Sequence, residues 1–220
     1  MRWLFYLGII IAVSAMFLVS CYHLPSLPFE VLPKDSIVCF QNDVLPILQS
    51  NCGKSGCHAG GEGNGINFNT YEGTIKEVDV ANPINSRLIT AIYKRGSGKM
   101  PPPPNPELTQ QQIDLIYIWI QQGAHNTNCT EVCDTANVTY SGSVKPILNT
   151  YCVGCHNGST GGTNINLTTY SGTYQTVTSE RLMGSIEQLT GYSAMPQGSK
   201  LSDCKISIIQ KWINEGAPDN

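Results

Sequence analysis

The stretch YCVGCHNG, residues 151–158, sets a histidine directly behind two cysteines that are three positions apart. An earlier stretch, NCGKSGCHAG at residues 51–60, does the same with four residues between the cysteines instead of two. Working outward, the two surroundings match in order. DVLPILQSNC (43–52) faces SVKPILNTYC (143–152), and GINFNTYEG (65–73) faces NINLTTYSG (164–172). SRLITAI (86–92) faces ERLMGSI (180–186), and GKMPPPP (98–104) faces SAMPQGS (193–199). Both series close on LTQQQIDLIYIWIQQGA (108–124) and LSDCKISIIQKWINEGA (201–217). The offset narrows only from 100 at Cys52/Cys152 to 93 at Trp119/Trp212, as small loop changes would produce. Self-similarity in fixed order means one structural unit written twice.

The copies span residues 37–126 and 134–220, with a short polar link at 127–133. Each opens with a helix for which Asp43 and Ser143 are the expected N-caps. Pro46 and Pro146 fall in the first turn, where a missing N–H costs little. The closing helix of copy one has Thr109 and Gln112 in capping-box spacing. Ile113, Ile116, Tyr117 and Ile120 form its apolar stripe, and Ile206, Ile209 and Ile213 form that of copy two. Gly123 and Gly216 end these helices. No strand pattern stands between them, so the expected class is all-α with long Gly/Asn/Thr loops. Units of under a hundred residues with such polar middles bury little, and domains this small usually need a staple or a cofactor.

Cys152-Val153-Gly154-Cys155-His156 is the attachment signature of a c-type haem. Residues three apart on a helix share a face, so two thiols can meet two vinyl groups on one porphyrin edge. The next residue then turns its imidazole toward iron. A thioredoxin-like reading would want a βαβ setting, and a zinc site would want a fourth donor. A sixth ligand is expected from Met195, before Pro196, and its counterpart is Met100, before Pro101. Methionine against histidine raises the reduction potential relative to two histidines. In copy one Cys52, Cys57 and His58 take the same parts. Five positions apart is the wrong helical face, so the extra pair must bulge, and Gly53 and Gly56 bracket it. Cys52 then carries either a strained thioether or none.

Together these motifs resemble small class I cytochrome c domains. The fuller pattern is similar to the cytochrome c-like modules of planctomycetes and Bacteroidetes, and it covers nearly all the chain after residue 36. The resemblance implies three to four helices around each of two covalently attached haem c groups. It also implies electron transfer on the periplasmic side, with Trp119, Trp212 or neighbouring isoleucines packed on the porphyrin.

The chain opens MRWLFYLGIIIAVSAMFLVSCYH, with an apolar run from Trp3 to Val19. That run suits a signal peptide over residues 1–20. Leu18-Val19-Ser20-Cys21 resembles a bacterial lipobox, which would place lipid on Cys21. Residues 21–36 would follow as a Pro-rich tether reaching about 45 Å. The expected location is therefore the periplasmic side, anchored to a membrane by lipid. With a formal charge of -3 and no basic run, nothing supports nucleic-acid binding.

Of nine cysteines, Cys39, Cys129, Cys133 and Cys204 remain once the signal and the attachment stretches are removed. Four cysteines allow three pairings. Cys39–Cys129 with Cys133–Cys204 would tie chain ends to cores. His23 and His125 have no counterpart in the other copy.

The expected function is a dihaem cytochrome that relays single electrons between redox proteins, with no enzymatic activity and no small-molecule substrate. The alternatives are a dihaem peroxidase-like enzyme and a haem-stapled structural or binding module. Arg87 and Arg181 recur before Leu and could meet a haem propionate. Lys94, Arg95 and Lys99 precede Met100 without counterparts in copy two, so copy one is expected to steer an acidic partner.

Overall fold

The computed structural model describes residues 37–60, 65–159, 164–197 and 199–220. The signal, lipobox and tether over residues 1–36, with Cys21 and His23, lie outside these. The described part belongs to one compact unit beginning at Asp35. It is helical, and among the described residues the only β pairing consists of the isolated bridges Ala59–Asn67 and Asn157–Asn166. None of its helices is long and apolar enough to cross a membrane.

Copy one contributes α1 (Leu45–Asn51), α2 (Tyr71–Thr74), α3 (Arg87–Tyr93) and α4 (Gln110–Gln121). Copy two contributes α5 (Lys145–Tyr151), α6 (Tyr170–Thr178), α7 (Arg181–Ile186) and α8 (Asp203–Asn214). The offset between copies falls from 99 at Tyr71/Tyr170 to 94 at Arg87/Arg181. Copy one spends the extra residues on a 3-10 turn at Pro83–Asn85. Copy two turns directly from α6 into α7 through Glu180, at φ 58.

The opening helices start earlier than the expected caps. A π turn, Phe40–Val44 or Tyr140–Val144, precedes α1 and α5. Asp43 and Ser143 are therefore inside the helical run. Their side chains reach back to accept from the N–H groups of Cys39 (2.7 Å) and Thr139 (3.3 Å). In copy two the side-chain cap is Thr139, which accepts from Gly142 N–H at 3.0 Å. The spacing of the acceptors was legible, but the extra residue of a π turn was not. The Thr109–Gln112 capping box is present on both arms.

Each core is built around one aromatic trio. Phe40 meets Tyr71 edge-on at 5.2 Å, and Tyr140 meets Tyr170 edge-on at 5.2 Å. Trp119 lies 5.1 Å from Phe40, and Trp212 lies 5.5 Å from Tyr140. The polar ends are satisfied in parallel, as buried Tyr and Trp require. Tyr71 and Tyr170 donate to the carbonyls of Ala124 (3.0 Å) and Ala217 (2.8 Å). The Trp119 and Trp212 indoles donate to His125 O and Pro218 O, each at 2.9 Å. Gly123 (φ 97) and Gly216 (φ 90) make the left-handed turn that brings these carbonyls back over the closing helix.

Cys39 is bonded to Cys129 and Cys133 to Cys204, with Cα separations of 6.0 and 5.3 Å. Cys52, Cys57, Cys152 and Cys155 are free. The link between copies is pinned at both ends. Thr127 bonds Phe40 and Gln41 of copy one, while Glu131 accepts from Ser202 and Lys205 of copy two. Burial alone would raise the Glu131 carboxyl, but those two bonds outweigh it and hold it below its ordinary value.

The copies meet where α1 packs against α5. Ser50 Oγ donates to Thr150 O, and Gln112 Nε2 donates to Asn149 O at 3.0 Å. Tyr151 Oη donates to Asn42 O at 3.2 Å. Lys54 Nζ donates to Gly154 O and to Asn105 Oδ1, each at 2.8 Å.

Candidate functional site

The loops after α1 and α5 show how two different spacings give one arrangement. In copy two the N–H of His156 bonds Cys152 O at 2.9 Å, closing a short turn. In copy one the N–H of His58 bonds Cys52 O at 3.1 Å, although the loop is two residues longer. The insertion is therefore absorbed between the cysteines, and the histidine keeps its relation to the first one. Downstream, His58 O accepts from Phe68 N–H (2.9 Å) and His156 O accepts from Leu167 N–H (2.8 Å).

Only one of the two bracketing glycines serves by its dihedrals. Gly56 has φ +77, a region that disfavours other residues. Gly53 does not; it leaves room for Asn69, whose Oδ1 would lie 2.2 Å from a Cβ there and would have to shift. Its side-chain-free surface lets Asn69 reach in and bond Gly53 O at 3.0 Å.

The methionine loops are seated identically as well. Met100 N–H bonds Ala91 O at 2.9 Å, and Met195 N–H bonds Ser185 O at 3.0 Å. Ala91 and Ser185 are matched positions on α3 and α7. The Met100–Pro101 and Met195–Pro196 peptides are both cis.

In copy one these parts line a partly open cavity of about 400 Å³. Cys52, Cys57 and His58 line it from one side of the sequence and Met100 from the other, with Phe68, Leu88 and Leu108 among its apolar walls. The volume lies within the range of small-molecule and cofactor sites, which is roughly 300–1,000 Å³. The His58 ring meets Phe68 edge-on at 5.4 Å, and its Nδ1 is buried without a hydrogen-bond partner. A buried nitrogen without a hydrogen-bond partner is costly. This donor set fits a haem c: two thiols and an imidazole from one loop, a thioether from another, and apolar walls between. In copy two Cys152, Cys155 and His156 share one turn, and Met195 sits on the matched loop. Burial holds the His156 imidazole below its ordinary value, in the neutral form that binds metal.

Burial pushes the Cys52 and Cys152 thiols up to about 12. A thiol so held is a poor nucleophile and a poor thiolate donor, unlike a redox-active dithiol. Among the described residues, no three His, Cys, Asp or Glu side chains gather into a metal-binding group.

Trp119 and the stripe isoleucines of α4 do not line the cavity. Trp119 is 1 % exposed and belongs to the aromatic trio, so its place is core burial and not a porphyrin contact. The wall nearest α4 is Leu108, just before its cap. His125 is exposed. The basic set before Met100 is weaker than its sequence suggests, because Lys99 pairs with Glu107, while Lys94 and Arg95 remain exposed. Arg87 lines the cavity and pairs with Glu77 at 3.1 Å. Glu77 is a cavity residue that sequence reasoning passed over. Its signal would have been a lone acid, Glu77, where copy two has Thr176.

No family model matches this chain, and no curated protein or solved structure matches it.

Proposed function

We propose that the chain is a dihaem c-type cytochrome that relays single electrons and performs no enzymatic chemistry of its own. The observation that carries this reading is the copy-one cavity, which Cys52, Cys57, His58 and Met100 line from two distant segments of the chain. The matched backbone seats of His156 and Met195 extend it to copy two. Bound haem would supply a one-electron carrier. The chain's own residues would do the rest: Cys57, Cys152 and Cys155 would attach, with a strained thioether or none at Cys52, and His58, His156, Met100 and Met195 would supply the iron ligands. The mostly apolar walls favour electron transfer over ligand activation. Because α1 packs on α5, the two attachment ends adjoin, a suitable arrangement for passing an electron within one chain.

In this reading the chain is an exported lipoprotein held at a membrane through Cys21, and its partners are redox proteins. Lys94 and Arg95 would steer an acidic one toward copy one, with Lys99 contributing less because Glu107 offsets it.

The ferric absorption spectrum tests the function against an enzyme. The expected result is low-spin iron with a weak sulfur-to-iron charge-transfer band. Replacing Met100 and Met195 together by alanine is expected to abolish that band while leaving covalent haem in place. A high-spin five-coordinate spectrum in the unaltered protein, with turnover of peroxide, would overturn the proposal.

A further inference from the structure

The copies match in framework, but copy two has a neutral residue where copy one places an acid in its cavity lining. Glu77 lines the copy-one cavity, and its side chain is only 10 % exposed. Its partner Arg87 also lines the cavity, but the Arg87 side chain is 75 % exposed. In copy two the position of Glu77 is taken by Thr176, which is buried and donates to Thr173 O at 2.6 Å. Glu180 and Arg181, which follow it in the chain, are both exposed.

The Glu77–Arg87 pair is neutral as a sum but not as seen from the cavity. Water screens the exposed guanidinium strongly and the buried carboxylate weakly. The net field inside is therefore negative. A negative field favours the oxidised, more positive state of an iron site and so lowers its reduction potential. Copy two has a neutral hydroxyl at the same position and lacks this bias.

We propose that Glu77, positioned by Arg87, lowers the reduction potential of copy one below that of copy two and so sets the direction of internal transfer. One electron moved from the copy-one site to the copy-two site leaves the first oxidised and the second reduced. A chain holding a single electron thus keeps it in copy two. This rests on the dihaem reading above. Glu77 is a positioning charge and not a ligand.

The test is a spectroelectrochemical titration of the full chain loaded with both haems. Two haems per chain and the spectrum described above are verified first, and their failure would count against the dihaem reading alone. The unaltered protein should titrate in two waves. Met195→His should move the higher wave downward, which assigns it to copy two. Glu77→Gln should raise the lower wave and leave the higher one in place. Arg87→Gln should move the lower wave further down, since it unmasks the carboxylate. A general loosening of the cavity would shift the lower wave in the same direction in both variants, so opposite shifts separate electrostatics from packing. Thr176→Glu should lower the copy-two wave. The inference is overturned if Glu77→Gln leaves the lower wave unmoved, if both variants shift it in the same direction, or if exposed Glu72→Gln shifts it as much.

Discussion

Replacing Gly154 by alanine is expected to destabilise the folded chain by roughly 3 kcal/mol, the upper part of the range for overpacking. A Cβ at Gly154 would lie 1.9 Å from Ser50 O and 2.6 Å from Ser50 C. Both atoms are backbone, so no rotamer change relieves the clash. One attachment loop would have to withdraw from the other, taking with it the Lys54–Gly154 bond and the Ser50–Thr150 bond. Urea unfolding followed by far-UV circular dichroism measures the loss. Ser55→Ala, at an exposed position of the copy-one loop, should stay within about 0.5 kcal/mol of the unaltered protein. Equal stabilities for the two variants would show that the attachment loops do not touch.

Trp119→Ala is expected to cost roughly 4 kcal/mol, as for other large buried aromatics. The side chain packs on Phe40, the central ring of the copy-one trio, and its indole satisfies His125 O. Because Trp119 does not line the cavity, Trp119→Phe should lower stability by a smaller amount while leaving the haem absorption spectrum unchanged. Thermal unfolding of both variants, read beside their spectra, checks the two halves of the statement. A displaced spectrum in Trp119→Phe would mean that the indole contacts the cofactor after all.

Much of this arrangement could be read from the chain before any coordinates. The double occurrence of Cys-Cys-His, Met-Pro and the closing Trp helix marks an internal repeat because order and spacing survive in both copies. The capping box at Thr109 was legible because it depends on residues three apart. Spacing alone missed features that depend on neighbours far away in the chain. Gly53 reads as one of two glycines that supply the dihedrals of the bulge, and it is instead a contact surface for Asn69. Trp119 lies on the closing helix but turns its ring to Phe40, because Phe40 is brought there by a π turn with no clear sequence mark. Gly154 sits inside the attachment motif, yet its demand for a bare Cα comes from the other copy. Glu77 was hidden for the opposite reason, since a single acid in a polar loop resembles surface until the fold turns it inward.

The longer copy-one loop has the same explanation at both levels. Its two added residues leave the histidine bonded to the first cysteine, and Lys54, one of them, reaches across to copy two. Sequence spacing alone could show that a bulge was needed, while the coordinates show what the bulge touches.

The most direct test of the central claim is a count of haem and iron on the intact chain after denaturation. The expected result is two haems that remain attached through denaturing electrophoresis and two irons per chain. Peptides containing Cys152 to His156 and Cys52 to His58 should each carry one haem. A chain that sheds all its haem on denaturation, or never carries any, would contradict the account.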